Sequence, residues 1–256
     1  MVAMFIGVTI AVIYTSFSGM KGASAVGRVV CIGIYVLLIC FVFTTLPKFG
    51  GFSGLLGELP EKYDSMGNMP TQRIVAWIVG GCISTAVMQA VLQPLLSAKS
   101  PEAARVGSIL GYVIAAPICF FTAICGMLSK ASGADLGDGS TAFAYAIKTF
   151  SSPVFAGIIF AFATMIIAAT MATMMLATGT IITNVYKTEI NPDVDDAKVL
   201  KLSKTITFVF AYLTLIPAFL IPSKSLTNLF LTLQHVAAAP VSFSILAGLL
   251  WKKTTK

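Results

Sequence analysis

Apolar residues run along this chain in seven long stretches, and polar residues collect in the segments between them. Windows free of Asp, Glu, Lys and Arg cover residues 1–20, 29–47, 74–98, 106–129, 149–186, 205–223 and 225–251. Each approaches or exceeds the ~20 helical residues that cross a hydrocarbon core of about 30 Å. The runs are solidly apolar, which excludes the alternating segments of about ten residues found in transmembrane β-barrels. The pattern predicts an all-α polytopic membrane protein of about seven transmembrane helices, at residues 2–19, 29–47, 74–96, 106–128, 154–180, 205–222 and 226–251.

The connections carry the turn chemistry. A short basic Gly/Ser turn, Ser18-Gly19-Met20-Lys21-Gly22, joins the first two spans. Outer loops are expected at 48–73 and 129–152, and a polar cytoplasmic loop at 187–204. The fifth window is long: if helical throughout 153–186 it would measure about 51 Å at 1.5 Å per residue. Such a helix must tilt, project beyond the bilayer, or break near Gly179. The third span has Gly80-Gly81 about a third of the way along, where a helix has licence to unwind.

Composition sharpens this picture. Of 256 residues, 57% are hydrophobic and 11% charged, and the mean hydropathy is +0.92. Soluble domains carry about 25% charged residues, so a soluble enzyme, a disordered tail and a collagen-like fibre are excluded. A single charge at mid-membrane costs at least ~2.5 kcal/mol, which explains why the seventeen basic and ten acidic residues stand outside the windows. The net charge of +7 is scattered between spans, so topology accounts for it and nucleic acid does not. With Lys99–Arg105 inside, eleven basic residues fall on the inner side and six on the outer. That excess predicts an outer N-terminus and a cytoplasmic C-terminus. Cleaved targeting is not expected, since no basic segment precedes the first apolar run. Cys31, Cys40, Cys82, Cys119 and Cys125 all lie in apolar windows without metal-ligand spacing, and read as small buried hydrophobes.

With no ionised residue in any span, candidate chemistry rests on hydroxyls, amides and backbone. The fifth span carries Thr170, Thr173, Thr178, Thr180 and Thr183 among Ala and Met. Thr170, Thr173 and Thr180 share one helical face, where hard oxygen donors would replace part of a cation's hydration shell. Small and hydroxylated residues are equally ordinary packing material between membrane helices. The third span has a stripe of Gly81, Thr85, Gln89 and Gln93, with Ser84 alongside. Glutamine amides in hydrocarbon need partners, so this face looks at protein or water. Interhelical amide bonding and a broken-helix substrate site both fit it. An alternative of another class is an intramembrane serine protease. Gly51-Phe52-Ser53-Gly54 has a G-x-S-G form, and the only histidine, His235, would be its base. Ser53 lies in a loop, however, not at the top of a membrane helix.

Several stretches together resemble the sodium:solute symporter family, which includes proline, pantothenate, carboxylate and sugar carriers. Tyr14-Thr15, Ser18-Gly19 and Gly22-Ala23 are similar to its YTxxGGxxAV, and Gln93 to Lys99 with Ala104-Arg105 to its QRxxAAKxxxxAR. Thr183-Asn184-Val185-Tyr186-Lys187 resembles the end of its hydroxyl-rich helix, and Gly248 to Lys253 its GLLWKR. The resemblance implies two inverted five-helix repeats, of which these seven spans would be helices 4 and 5 of the first and all five of the second. The missing first-repeat helices would come from a longer chain, so a fragment is expected.

The resemblance also implies a function: sodium-coupled symport of a small organic solute by alternating access, with no enzyme activity. Sodium is the coupling ion and no cofactor is implied. The partners are the solute and the lipid bilayer, with the cell membrane as location. The family's sodium-site hydroxyl pair falls at Ala168-Ala169, where no hydroxyl exists. Thr170 is the nearest substitute, with Ala169, Thr173 and the Ile166 carbonyl completing this half. Substrate would lie against an unwound third span at Gly80, Gly81, Ser84, Thr85 and Gln89. Gly81 and Ser84 stand where sugar carriers present larger groups, so an amino acid, carboxylate or vitamin is favoured over a sugar. A proton-coupled or non-transporting sensor of the same fold is the alternative within the family.

Overall fold

A computed structural model describes residues 2–61, 69–137, 139–220 and 240–251, and all regular structure among them is helical. The order is α1 (Val2–Thr45), a 3₁₀ turn (Leu46–Phe49), α2 (Gly51–Gly57), α3 (Thr71–Val87), α4 (Gln89–Leu96), α5 (Pro101–Ala131), α6 (Ala142–Phe150) and α7 (Pro153–Val185). A π-helical turn (Tyr186–Ile190), α8 (Asp196–Leu213), α9 (Leu215–Leu220) and α10 (Pro240–Leu250) follow. Ala25–Phe49, Pro101–Ala131, Pro153–Ile190 and Asp196–Pro217 are each long and apolar enough to span a bilayer, and α3 with α4 forms a bent apolar pair, either a broken span or a re-entrant loop. Phe5–Thr15 and α10 are shorter apolar helices. The fold is therefore an all-α polytopic membrane protein. His235, the end of the sixth expected span and the first part of the seventh lie outside the described residues.

Local signals set the helix ends. Ser100 caps α5 by accepting the Ala103 N–H at 3.1 Å, Pro101 opens the helix and Glu102 sits in its first turn. Pro153 opens α7, with the Ser152 hydroxyl accepting the Phe155 N–H at 3.4 Å. At the end of α3 nearest the polar loop, the Arg73 guanidinium stacks 5.1 Å over the Trp77 ring. That pairing suits a membrane interface, where amphipathic aromatics collect.

Two expectations about where helices break are corrected, and one open choice is narrowed. The segment 18–22 is no turn: the helical backbone of α1 continues through it. The Tyr14 hydroxyl donates to the Gly22 carbonyl at 3.0 Å, across eight residues that a straight helix holds about 12 Å apart, so α1 bends here. Of the outcomes open to the long fifth window, the break near Gly179 does not occur, because α7 continues to Val185. The third span breaks at Met88 instead of Gly80-Gly81. The loops are also more ordered than their polarity implies: 48–73 contains α2, 129–152 contains α6, and α8 starts within 187–204.

The chain forms two compact units. Residues 1–37 and 157–222 make the first, where Val8, Ala11 and Val12 pack with Met175, Ala211 and Leu215. The Thr9 and Tyr212 hydroxyls lie 3.2 Å apart. Gly33 lets α1 close onto the Phe162 ring, leaving no space for a Cβ.

Residues 38–156 and 223–256 make the second unit, cored by Leu55, Ile124, Leu128 and Ile147. There the Ser129 hydroxyl donates to the Ala142 carbonyl at 2.7 Å, tying α5 to α6, and the Phe49 and Phe150 rings meet edge-on at 5.3 Å. Many large apolar side chains point outward, Phe43, Val154 and Leu249 by about three quarters of their surface. In a membrane protein such faces meet lipid or further helices.

Candidate functional site

In the second unit the expected substrate-binding residues gather around the discontinuity between α3 and α4. Met88 has φ −70° and ψ 119°, extended values that end α3. Its N–H turns back to the Thr85 carbonyl at 3.4 Å, and its carbonyl accepts the Val91 and Leu92 N–H groups at 2.9 and 3.0 Å, which starts α4. The two helices meet at a 43° bend. As at any helix end, the last carbonyls of α3 and the first N–H groups of α4 have no intrahelical partner. The residues flanking this exposed backbone are Ser84, Thr85 and Gln89. Ser84 is buried, and the other two are half-buried. The Ser84 and Thr85 hydroxyls donate to the Gly81 carbonyl at 3.3 and 2.6 Å, which leaves their oxygens able to accept. Gly80 and Gly81 lie one to two turns below the break, and the space a Cβ would enter at Gly81 is open.

The expected sodium-site residues lie in the first unit, all on α7. Thr170 Oγ1 donates to the Ile166 carbonyl at 2.9 Å and Thr173 Oγ1 to the Ala169 carbonyl at 3.0 Å. Each threonine thus sets a hydroxyl oxygen beside a carbonyl oxygen, two hard donors of the kind a cation takes. Thr170 is exposed, while Ile166, Ala169 and Thr173 are half-buried. The neighbouring threonines make the same bond: Thr180 to the Leu176 carbonyl and Thr183 to the Gly179 carbonyl, at 2.8 and 2.7 Å. Back-bonding of this kind is what threonine does in any apolar helix, so it does not single out Thr170.

The G-x-S-G segment has a structural use. Gly50 and Gly51 take φ of 74° and 82°, in the left-handed region that favours glycine. A Cβ on Gly54 would collide with the Phe49 carbonyl. The glycines shape the entry to α2, while Ser53 stays exposed on that short helix.

Sequence patterning gave no sign of the cavities. One of about 490 Å³ opens beside Lys130 and Asp135 at the end of α5, in the second unit. Two more, of about 480 and 410 Å³, adjoin the π-helical turn after α7 in the first unit. Cavities depend on tertiary packing, which residue spacing does not encode.

The whole chain, residues 1–256, matches the sodium:solute symporter family. This chain belongs to that family. One relative, the uncharacterized symporter YodF of Bacillus subtilis, is 25% identical across 95% of this chain. The match takes in 50% of YodF, so the chain spans about half the length of that relative. No solved structure matches. Membership in a symporter family supports a transporter over an enzyme, and so speaks against the Ser53 protease alternative.

Proposed function

We propose that this chain carries the second-repeat portion of a sodium-coupled symporter for a small organic solute. An amino acid, carboxylate or vitamin fits better than a sugar. The observation that carries this reading is the α3–α4 break at Met88, with Ser84, Thr85 and Gln89 around exposed backbone groups. Discontinuous membrane helices are where many transporters bind substrate, the N-terminal half-helix end favouring an anionic group. Solute would lie against Gly80 and the open side of Gly81 and be held by Ser84, Thr85 and Gln89. Sodium would take Thr170 Oγ1 and the Ile166 carbonyl, with Ala169 and Thr173 on the next turn.

Sodium at Thr170 biases one conformational state and solute at the broken span completes the occluded form, which is alternating access. First-repeat helices of the longer polypeptide supply the rest of both sites. The protein resides in the cell membrane with a cytoplasmic C-terminus, a reading supported by the excess of basic residues in the inner connections.

Uptake by cells expressing the full gene tests this. Labelled proline, pantothenate, acetate and glucose are offered in sodium and in choline medium. Sodium-dependent uptake of one of the first three is expected, and Thr170→Val should weaken sodium activation far more than Thr180→Val. Equal effects of the two substitutions remove the sodium assignment. A proton-coupled or sensor role is favoured by one observation, the absence of hydroxyls at Ala168 and Ala169. It predicts solute binding without any sodium dependence.

A further inference from the structure

Two cavities of opposite character adjoin at the polar end of α7. The apolar one, about 480 Å³, lies between Ile181, Ile182 and Val185 of α7 and Leu202 and Ile206 of α8. The polar one, about 410 Å³, is walled by Asn191, Asp193, Asp195 and Lys198. They share Tyr186 and Leu202, so one ligand with an apolar and a polar part fills both. Their position matches such a ligand. The apolar groove borders two helices long and apolar enough to span a bilayer, and the polar cavity lies on the polar connection between them.

The charges narrow the choice. Asp196 is engaged by Lys187 at 2.6 Å, so its charge is matched. Two carboxylates, Asp193 and Asp195, and one ammonium, Lys198, remain around the polar cavity. Lys198 also stands in the first turn of α8, where the helix dipole favours an anion. An ammonium with N–H donors meets the carboxylates, and a phosphate meets Lys198.

We propose that this composite cavity seats one aminophospholipid of the phosphatidylethanolamine type. An acyl chain lies along Ile182, Leu202 and Ile206, the ammonium sits between Asp193 and Asp195, and the phosphate rests on Lys198. A choline headgroup has no N–H to donate to the carboxylates. A glycerol headgroup brings no positive charge to them, so phosphatidylglycerol places its net negative charge beside two more.

Native mass spectrometry of the intact membrane protein tests the proposal, with palmitoyl-oleoyl phosphatidylethanolamine, phosphatidylcholine and phosphatidylglycerol added at equal concentration. Phosphatidylethanolamine should be retained about tenfold over the other two, the factor one charge-assisted hydrogen bond supplies. The Asp193→Asn/Asp195→Asn double variant should lose the preference over phosphatidylcholine, and both positions are exposed, so folding is undisturbed. A photo-crosslinking residue, Ile181→p-benzoylphenylalanine, should gain the mass of one phospholipid in native membranes. Equal retention of the three lipids, a preference for phosphatidylglycerol, or a crosslink from position 181 to protein would each overturn the proposal.

Discussion

Gly179 on α7 stands directly against Thr207 on α8: a Cβ at Gly179 would lie 2.5 Å from the Thr207 hydroxyl oxygen and 3.1 Å from the Ser203 carbonyl. Thr207 donates to the Met175 carbonyl on α7 at 3.4 Å, and Thr183 donates to the Gly179 carbonyl. Lipid tails are as apolar as leucine, so membrane helices gain little by hiding apolar surface from one another. They associate through close packing and hydrogen bonds, which small residues permit. The glycine that invites a helix break in the sequence is instead the contact that joins two helices.

Gly179→Ala should therefore destabilise the protein by about 1–3 kcal/mol, the usual cost of overpacking a tight contact. Denaturation in mixed micelles measures it. Adding Thr207→Ala removes the nearest clashing atom and should recover part of the loss, while the backbone carbonyl of Ser203 keeps it from being complete. An alanine variant as stable as the parent would show that the two helices do not close this tightly.

The entry to α2 separates a structural motif from a chemical one. Ala at Gly51 must adopt a left-handed φ at about 1–2 kcal/mol, and Ala at Gly54 must displace the Phe49 carbonyl. Ser53→Ala touches nothing and should leave both stability and uptake unchanged. Thermal melts of the three single variants check this order. A Ser53 variant as damaging as the glycine variants would mean that the hydroxyl, not the backbone, is what the segment preserves.

The membrane fold was legible because solvation imposes it: among the described residues the long apolar stretches are helical, and four of the helices, or five with the bent pair, are long and apolar enough to span a bilayer. Loop order was less legible, since α2 and α6 are short and owe their stability to contacts such as Ser129 with Ala142 and Phe49 with Phe150. The four-residue spacing of Gly81, Thr85 and Gln89 was readable, and the three lie on α3 and the start of α4. The position of the break was not. Glycine permits unwinding without requiring it, and nothing in the type of residue at Met88 announces an extended ψ. The threonines proposed for sodium, Thr170 and Thr173, are indistinguishable from their neighbours by geometry, because each bonds back to its own helix.

Gly81→Leu isolates the substrate assignment from folding. No atom lies within 4 Å of the position its Cβ would take, and replacing a helix-interior glycine gains about 0.5–1 kcal/mol of helix propensity. The variant should melt no lower than the parent yet lose most solute uptake, because the side chain fills the space assigned to the solute. Unchanged uptake in a stable variant would move the binding site away from this stretch of α3.

Lys187 and Asp196 give the loop after α7 a pH dependence of defined sign. The hydrogen bond from Lys187 is the main cause, and its charge a second one, of an Asp196 carboxyl held below the ordinary carboxylate range. A carboxyl whose folded pKa is depressed contributes stability that is present above its unfolded pKa and lost as pH falls through the folded one. The loop should thus be indifferent to pH near neutrality and loosen only in acid. Carboxyl ¹³C shifts of labelled aspartate should give Asp196 a lower midpoint in the parent than in Lys187→Gln. Both groups are exposed, Asp196 by 88%, so the difference should shrink in about 1 M salt, where the Debye length is about 3 Å. Identical midpoints in the parent and the variant would show that the two side chains do not pair in solution.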